Sequence, residues 1–316
     1  MVFTKLFHYE SNIVLINFKE EERIPIIRLG RVQTAMVTPF KKDLELDLGG
    51  VAPLVEYLCN SGTEGLVVTG TTGESPTLTL EEKEKLWLEV IRTKPQNVPM
   101  IAGTGSNDTR ETVEASIKAE KAGADAIMLV TPYYNKPPQS NMKAHFEEVA
   151  KKVNLPIMLY NVPKRTGANL LPDTVKELMN CDNIIAIKEA SGDLEQVAKL
   201  RRLIGNRIKI FSGEDSITLP MMALGASGVV SVASHIAGEL FKEMLESFVS
   251  GDVDKAMRTH YDLMPLFEGL SISTNPIPVK SALNLAGVSV GPLRPPLQEL
   301  DKDDKAKLKK VLQDYA

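Results

Sequence analysis

The sequence is poor in the residues that build metal centres and disulfide frameworks. Its 316 residues include two cysteines, Cys59 and Cys181, and four histidines. The cysteines form no CxxC pair, so a thiolate metal centre and a disulfide framework have no support. The histidines form no HxH or HExxH grouping, which argues against a metal-dependent enzyme, and we expect no metal ion. A reducing cytoplasm is expected, with both cysteines as small buried apolar residues.

An excess of positive charge and a long apolar run are also missing. The 37 basic and 41 acidic residues give a net charge of -4, so a nucleic acid or an anionic membrane is not an expected partner. The apolar run at residues 12–18 is too short to span a bilayer, and it lacks the flanks of a secretory signal. We interpret residues 1–30 as a cytoplasmic extension, either a docking arm or the product of an upstream start codon chosen in error.

From Val32 onward, short aliphatic runs alternate with amphipathic stretches, a pattern typical of βα units with a parallel sheet. A doubly wound sheet would carry similar runs, but eight of them favour a closed (β/α)8 TIM barrel, which needs roughly 250 residues. The runs occupy residues 34–37, 65–68, 100–102, 127–130, 157–160, 184–187, 208–211 and 229–232.

After residue 232 the pattern becomes helical. Helices are predicted over residues 235–250, 253–266 and 278–285, with a charged tail around 301–310. We therefore predict an N-terminal extension at 1–30, a catalytic (β/α)8 barrel at 31–250 and a C-terminal helical region at 251–316.

Polar and glycine-rich segments follow the predicted strands, at the end of the barrel where such folds build active sites. Taken singly, each segment has an ordinary explanation as a turn or a helix cap. Their common position at one end of one barrel predicts an active site. The segments are GTTGES after the second run, TPYYN after the fourth, YNVP with Arg165 after the fifth, Lys188 after the sixth, SGED after the seventh and Ser231 in the eighth.

Lys188 directly follows the apolar run at 184–187 and precedes a loop predicted to begin at Glu189. An ammonium ion at the mouth of a buried strand is costly to desolvate unless it is paired or loses its proton. One interpretation is a structural ion pair with Glu189. The other is a neutral amine that attacks a keto acid, forming an imine that serves as an electron sink. Tyrosine hydroxyls would then move protons, and an arginine would hold a carboxylate.

Five segments, in register, resemble the 4-hydroxy-tetrahydrodipicolinate synthase (dihydrodipicolinate synthase) family, within the wider N-acetylneuraminate lyase family of class I aldolases. The resemblance extends from about Val32 to the C-terminal helices. It implies condensation of pyruvate with L-aspartate 4-semialdehyde, in lysine and diaminopimelate biosynthesis, without a separate cofactor. The segments are GTTGES at 70–75, TPYYNKP at 131–137, YNVPKRTG at 160–167, IIAIKEASGD at 184–193 and NPIPVKSAL at 275–283.

The resemblance implies four catalytic residues. Lys188 would form the imine with pyruvate, and Tyr160 would act as general acid and base beside the imine carbon. Thr71 would join Tyr160 and Tyr134 in a proton relay. Tyr134 would come from a partner subunit, which implies a homo-oligomer, at least a dimer and by family habit a tetramer built from dimers.

Substrate-binding positions follow from the same resemblance. Thr71 and Thr72 would hold the pyruvate carboxylate, an assignment that the predicted helix after GTTGES favours, since helix N-termini attract anions. Arg165 would receive the second substrate. Gly213 and Val230 would line the pyruvate pocket with their backbone.

One departure from the family pattern concerns regulation. In relatives inhibited by lysine, the helix after the GTTGES-type loop commonly carries histidines or acids that face an allosteric lysine site. Leu80 and Lys83 occupy that region here, and a cationic Lys83 would repel the ammonium groups of the ligand. We hypothesise weak or absent feedback by lysine, although part of such a site could still form from Asn107, Glu111 and Tyr133.

Two other functions are compatible with the barrel. N-acetylneuraminate lyase uses the same lysine and tyrosine on pyruvate but accepts a sugar aldehyde. It usually reads GSTGE where this chain has GTTGE, and it lacks the paired tyrosines of TPYYN. A non-catalytic regulatory barrel is the alternative from another class, and the intact Lys188, Tyr160, Thr72 and Arg165 weigh against it.

Overall fold

The fold is a closed barrel of eight parallel strands, seen in a computed structural model that describes residues 28–315. Each strand pairs with the next along the chain, and the last pairs with the first. The predicted (β/α)8 barrel is therefore confirmed, while nearly all of the predicted extension at 1–30 lies outside the described residues. The strands are β1 (Val32–Ala35), β2 (Gly65–Val68), β3 (Met100–Gly103), β4 (Ala126–Val130), β5 (Ile157–Asn161), β6 (Ile184–Glu189), β7 (Lys209–Ser212) and β8 (Gly228–Ser231).

Helices follow the strands, and further helices close the described part of the chain. The three helices predicted after residue 232 and the charged tail around 301–310 correspond to the last four helices. In chain order the helices are α1 (Val51–Asn60), α2 (Leu80–Thr93), α3 (Thr109–Ala122), α4 (Gln139–Ala150), α5 (Pro163–Thr166), α6 (Pro172–Leu178), α7 (Leu194–Ile204), α8 (Thr218–Ala223), α9 (Ser234–Ser250), α10 (Val253–Gly269), α11 (Ile277–Leu285) and α12 (Lys302–Leu312).

The second helix shows how the sequence sets these boundaries. Thr79 caps α2 by accepting a hydrogen bond from the Glu82 amide, and the Glu82 side chain accepts one from the Thr79 amide in return. This reciprocal capping box satisfies two amides that would otherwise lack partners. Trp87 and Val90 lie on the buried face of the helix. The cap and the apolar stripe together fix where α2 begins and which side packs on the barrel.

The strands separate two apolar layers. Ala186 belongs to the cluster inside the barrel, whereas its neighbour Ile187 belongs to the cluster between strands and helices. Successive side chains of a strand point to opposite faces, so Lys188 points inward like Ala186 and Glu189 points outward like Ile187. The alternation along β6 thus delivers one lysine into the barrel interior.

The predicted bounds of two strands, β1 and β6, were wrong. β1 begins at Val32, two residues before the predicted run, because the sheet extends as far as its partners in β2 and β8 allow. Glu189 lies in β6 rather than in a loop, since it pairs in register with Asn161 of β5 and Ser212 of β7. Backbone pairing on both sides continues the strand beyond its apolar residues.

The two cysteines are less buried than the sequence predicted. Cys59 and Cys181 are both free thiols, and each is half-buried at the edge of the core rather than fully buried. Burial raises the pKa of the Cys59 thiol, with the positive charge of Lys94 acting in the opposite direction. Within residues 28–315, none of the helices combines the length and the apolar content needed to cross a bilayer.

Candidate active site

Lys188 and Tyr160 face each other inside the barrel. They are register partners on β6 and β5, and the Lys188 Nζ lies 4.4 Å from the centroid of the Tyr160 ring. The residues are only 6% and 5% exposed. The carboxylate of Glu189 instead accepts hydrogen bonds from Asn161 and Ser191 on the outer side of the strand. The alternative of an ion pair between Lys188 and Glu189 is therefore wrong, because the two side chains leave β6 in opposite directions.

Gly213 makes room for the lysine side chain. A Cβ added at this position would lie 2.9 Å from Cε of Lys188 and 2.6 Å from Cβ of Ala190. These distances are shorter than van der Waals contact, so a larger residue here would force the lysine stem or Ala190 to move. Val230 of β8 is buried in the same interior cluster as Tyr160. Val230 thus belongs to the barrel interior, and Gly213, which directly follows β7, lies against the Lys188 side chain.

The loop after β2 holds Thr71 and Thr72 in a tight turn, which is closed by a hydrogen bond from the Glu74 amide to the Thr71 carbonyl at 3.1 Å. Thr69 and Glu74 adopt φ of 58° and 54°, the left-handed region that costs energy for residues with a side chain. Trp87 stabilises the conformation of Thr69, because its Nε1 donates a hydrogen bond to the Thr69 hydroxyl at 2.9 Å. Strained backbone held in place by its surroundings is common at functional sites.

Asn275 connects two of the predicted substrate-binding residues. Its Nδ2 donates to the Thr72 hydroxyl at 2.9 Å, and its backbone carbonyl lies 3.5 Å from Nη2 of Arg165. Its Oδ1 is buried and has no hydrogen-bond partner within residues 28–315. The sequence interpretation gave this residue no role, although it opens the segment NPIPVKSAL. Its place at the head of that segment was the only signal available.

The remaining predicted site residues, Arg165 and Tyr134, are exposed on the protein surface. Arg165 is exposed on α5, with its guanidinium over the end of the barrel beside Asn275. Tyr134 is 89% exposed and has a φ of 70°, so its ring projects from the loop after β4. A single chain therefore brings Lys188 and Tyr160 together but does not bury Tyr134 against them.

A buried carboxylate lies within electrostatic range of the lysine. Burial raises the pKa of Asp215. The hydrogen bonds from the Ala233 and Val232 amides and the positive charge of Lys188 act in the opposite direction. Those amides donate to Asp215 at 2.8 and 3.1 Å and begin the turn into α9. No grouping of three His, Cys, Asp or Glu side chains suited to a metal ion occurs in the part of the chain that the structure describes.

Comparison with known proteins agrees with this geometry. A model described as the dihydrodipicolinate synthetase family matches residues 28–315. The 4-hydroxy-tetrahydrodipicolinate synthase of Heliobacterium modesticaldum is 50% identical over 289 residues, which is 92% of this chain and 96% of that protein.

Solved structures show the same likeness. Dihydrodipicolinate synthase from Bacillus anthracis is 44% identical, with a TM-score of 0.89 over 91% of this chain and 99% of its own. The enzyme from Cyanidioschyzon merolae with lysine bound is 43% identical, with a TM-score of 0.89 over 93% of this chain and 99% of its own. By its motifs, its barrel and these relatives, the chain belongs to the dihydrodipicolinate synthetase family.

Proposed function

We propose that the chain condenses pyruvate with L-aspartate 4-semialdehyde to 4-hydroxy-tetrahydrodipicolinate, with Lys188 as the residue that forms the imine. The observation that carries this proposal is a nearly buried lysine amine, 4.4 Å from the Tyr160 ring, at the end of a barrel strand. Relatives named for this reaction are about half identical to the chain. The reaction belongs to lysine and diaminopimelate biosynthesis, and the enzyme is a lyase of the class I aldolase type.

The first half of the reaction takes place at the lysine nitrogen. The neutral amine of Lys188 attacks C2 of pyruvate, the carbonyl oxygen takes up protons, and water leaves to give an iminium ion. The iminium withdraws electrons from the methyl group, so a proton leaves C3 and an enamine forms. Tyr160 is the hydroxyl group nearest in register to Lys188 and serves as general acid and base for these transfers. Thr71 completes the proton relay.

The second half joins the two substrates. The enamine carbon attacks the aldehyde carbon of the semialdehyde, whose oxygen takes a proton. The amino group of the semialdehyde then attacks C2, displaces Lys188 and closes the ring, so that one water is lost overall. Arg165 holds the carboxylate of this second substrate, since a guanidinium binds carboxylates in a bidentate manner.

Pyruvate binding uses the loop after β2 and the barrel wall. Thr71 and Thr72 hold its carboxylate, while the backbone at Gly213 and Val230 lines the pocket. The glycine that admits the lysine stem supports this placement, because a larger residue would displace the amine. No separate cofactor is needed, because the imine itself supplies the electron sink.

We further propose that the active form is a homo-oligomer, a tetramer built from dimers, in which Tyr134 reaches the active site of a partner subunit. Its 89% exposed ring supports this proposal, since an exposed aromatic side chain on a loop with positive φ is suited to packing against another chain. A cytoplasmic location and the absence of nucleic-acid and membrane partners stay predictions from composition.

Trapping the imine tests the proposed function. The protein is incubated with pyruvate, reduced with borohydride and mapped by peptide mass spectrometry. We expect the reduced adduct on Lys188, and none in a Lys188→Ala variant that remains folded by circular dichroism. An adduct on another residue, or in the variant, would contradict the assignment.

A coupled assay separates the synthase from the lyase alternative. Aspartate semialdehyde and N-acetylmannosamine are supplied in turn with pyruvate. We expect turnover with the first only. A preference for the sugar would establish the lyase, and an enzyme that forms the adduct but turns over neither aldehyde would favour the regulatory barrel.

A further inference from the structure

Glu189 is a buried carboxylate that the reaction described above does not use. It is 1% exposed, and its two oxygens accept hydrogen bonds from Asn161 Nδ2 at 3.0 and 3.2 Å, the Ser191 amide at 2.7 Å and Gln196 Nε2 at 3.3 Å. Every one of these partners is a neutral N–H donor. Within the part of the chain that the structure describes, hydrogen bonds rather than a cation therefore stabilise the charge of the carboxylate.

A backbone group fixes the direction of this network. The Leu170 amide donates to Asn161 Oδ1 at 2.9 Å, so the nitrogen of that side chain must face Glu189 and Asn169. Asn169 in turn donates to Gln196 Oε1 at 2.8 Å, which leaves the nitrogen of Gln196 for Glu189. The hydrogen bonds thus converge on a single group that can only accept.

An ionised carboxylate is the side chain that meets this requirement. Burial raises the pKa of Glu189, while the donors from Ser191, Asn161 and Gln196 act in the opposite direction. A protonated carboxyl or an amide at this position would place a hydrogen against one of the donors. Hydrogen bonds to an ionised acceptor are also stronger than those between neutral groups.

The network joins the ends of the two strands that carry the reacting pair. Asn161 follows Tyr160 on β5, and Glu189 follows Lys188 on β6, with both pairs in register. The hydrogen bond between Asn161 and Glu189 lies on the outer face of the strands, directly behind the lysine and tyrosine on the inner face. A displacement of the strand ends would therefore change the distance between the Lys188 amine and the Tyr160 ring.

We propose that Glu189 is a positioning residue for imine formation: its carboxylate holds the end of β6 against β5 and so keeps Lys188 opposite Tyr160. This inference rests on the proposed function, because it needs an imine at Lys188. It assigns a role in the reaction to a side chain that faces away from the substrate.

The experiment compares two carboxylate-to-amide changes of equal size. Glu189→Gln puts an NH2 group against the converging donors. Glu64→Gln is the matched control, because the Glu64 carboxylate also accepts N–H donors, from the Arg31 and Val32 amides at 2.7 and 3.0 Å, but at the opposite end of the barrel. The measured quantity is the rate constant of borohydride-trapped adduct formation at saturating pyruvate, from rapid-quench mass spectrometry.

We expect Glu189→Gln to lower this rate constant by about 10- to 100-fold, the scale expected for a misplaced reacting group. The fraction of protein labelled at completion should be unchanged, whereas a purely structural defect would lower that fraction and leave the rate constant alone. Glu64→Gln should retain the wild-type rate constant. A wild-type rate constant in Glu189→Gln would overturn the positioning role.

If Glu189→Gln does not fold, Gln196→Leu removes one donor and keeps the carboxylate, and we expect a smaller reduction of the same rate constant. A wild-type rate constant in that variant would then overturn the proposal. Failure to label the wild-type protein would contradict the proposed function itself, whereas normal labelling of wild type with equal rates in all variants would contradict only the role of Glu189.

Discussion

Glu74 and Lys280 form a buried ion pair between the loop after β2 and α11, with Oε1 and Nζ 2.9 Å apart and each side chain 1% exposed. The remaining donors of Lys280 reach the carbonyl oxygens of Thr38 and Pro292, and the second oxygen of Glu74 accepts from the Arg294 amide. Both charges are thus fully hydrogen-bonded. The helices after the barrel hold the turn that carries Thr71 and Thr72.

Removing the positive charge of this ion pair should destabilise the protein and weaken pyruvate binding. Lys280→Met leaves the Glu74 charge buried without its partner, a change that typically costs about 3–5 kcal/mol. The KM for pyruvate should rise, because the turn loses its support from α11. Chemical denaturation and steady-state kinetics measure the two effects.

The double variant Glu74→Gln/Lys280→Met is the control for this prediction. Removing both charges should recover part of the stability that the single change loses, because no isolated buried charge remains. Equal losses in the single and double variants would contradict the view that the unpaired carboxylate dominates the cost.

Replacing Gly213 by alanine should impair the reaction more than the fold. The added methyl group would lie 2.9 Å from Lys188 Cε, so the lysine must move. We expect slower adduct formation with pyruvate. Gly49→Ala is the matched control, since among residues 28–315 its methyl group would meet only Asp47 Oδ1, at 3.4 Å. Wild-type trapping kinetics in Gly213→Ala would show that the amine tolerates displacement.

Lysine should inhibit the enzyme weakly or not at all. Burial lowers the pKa of Lys83, and the negative charge of Glu111 opposes this shift. A positive side chain there would repel the ammonium groups of free lysine. Activity is measured across a lysine titration, with sodium chloride at equal ionic strength as the control. Strong inhibition would reject the prediction.

Removing the Tyr134 hydroxyl should reduce turnover without changing the oligomer. If it relays protons in a partner's site, Tyr134→Phe should lower kcat by about 100-fold, within the usual range for general acid–base groups. Tyr261→Phe is the matched control, because this tyrosine on α10 is also exposed, at 65%. Sedimentation velocity checks that the assembly is unchanged.

Subunit mixing tests whether that site is shared. Hybrids of the Lys188→Ala and Tyr134→Phe proteins would contain sites with an intact lysine from one chain and an intact tyrosine from the other. Activity should therefore rise above the sum of the two parents after dissociation and reassembly. A mixture that stays at that sum would place Tyr134 outside the shared site.

The sequence predicted the barrel because each strand carries its own local signal, an apolar run followed by a polar turn. Lys188 was accessible to the same reasoning, since a single charged residue at the end of the run 184–187 needs an explanation. The role of Asn275 could not be predicted in this way, because its hydrogen bond to Thr72 joins residues 203 positions apart. No periodicity within one strand or helix records a contact that only the closure of the whole barrel creates.

Acid should destabilise the folded protein through His235, a buried residue in the first turn of α9. Its Nδ1–H donates to the Val232 carbonyl at 2.8 Å, and its Nε2 accepts from the Val37 amide at 3.2 Å, so the folded state requires the neutral ring. Burial lowers the pKa of His235 to about 4. The unfolded chain, with a histidine pKa of about 6.5, binds the proton first, so stability is lost as pH falls from 6.5 toward 4.

The size of this effect follows from the two pKa values. Between pH 8 and pH 5, His235 should remove about 2 kcal/mol from the free energy of unfolding. The variant His235→Gln should lose that part of the pH dependence, although it will be less stable at pH 8. His145, whose pKa burial also lowers to about 4, is present in both proteins and cancels in the comparison. Urea denaturation at the two pH values measures the difference, and equal pH dependence in wild type and variant would show that His235 is not the group that titrates.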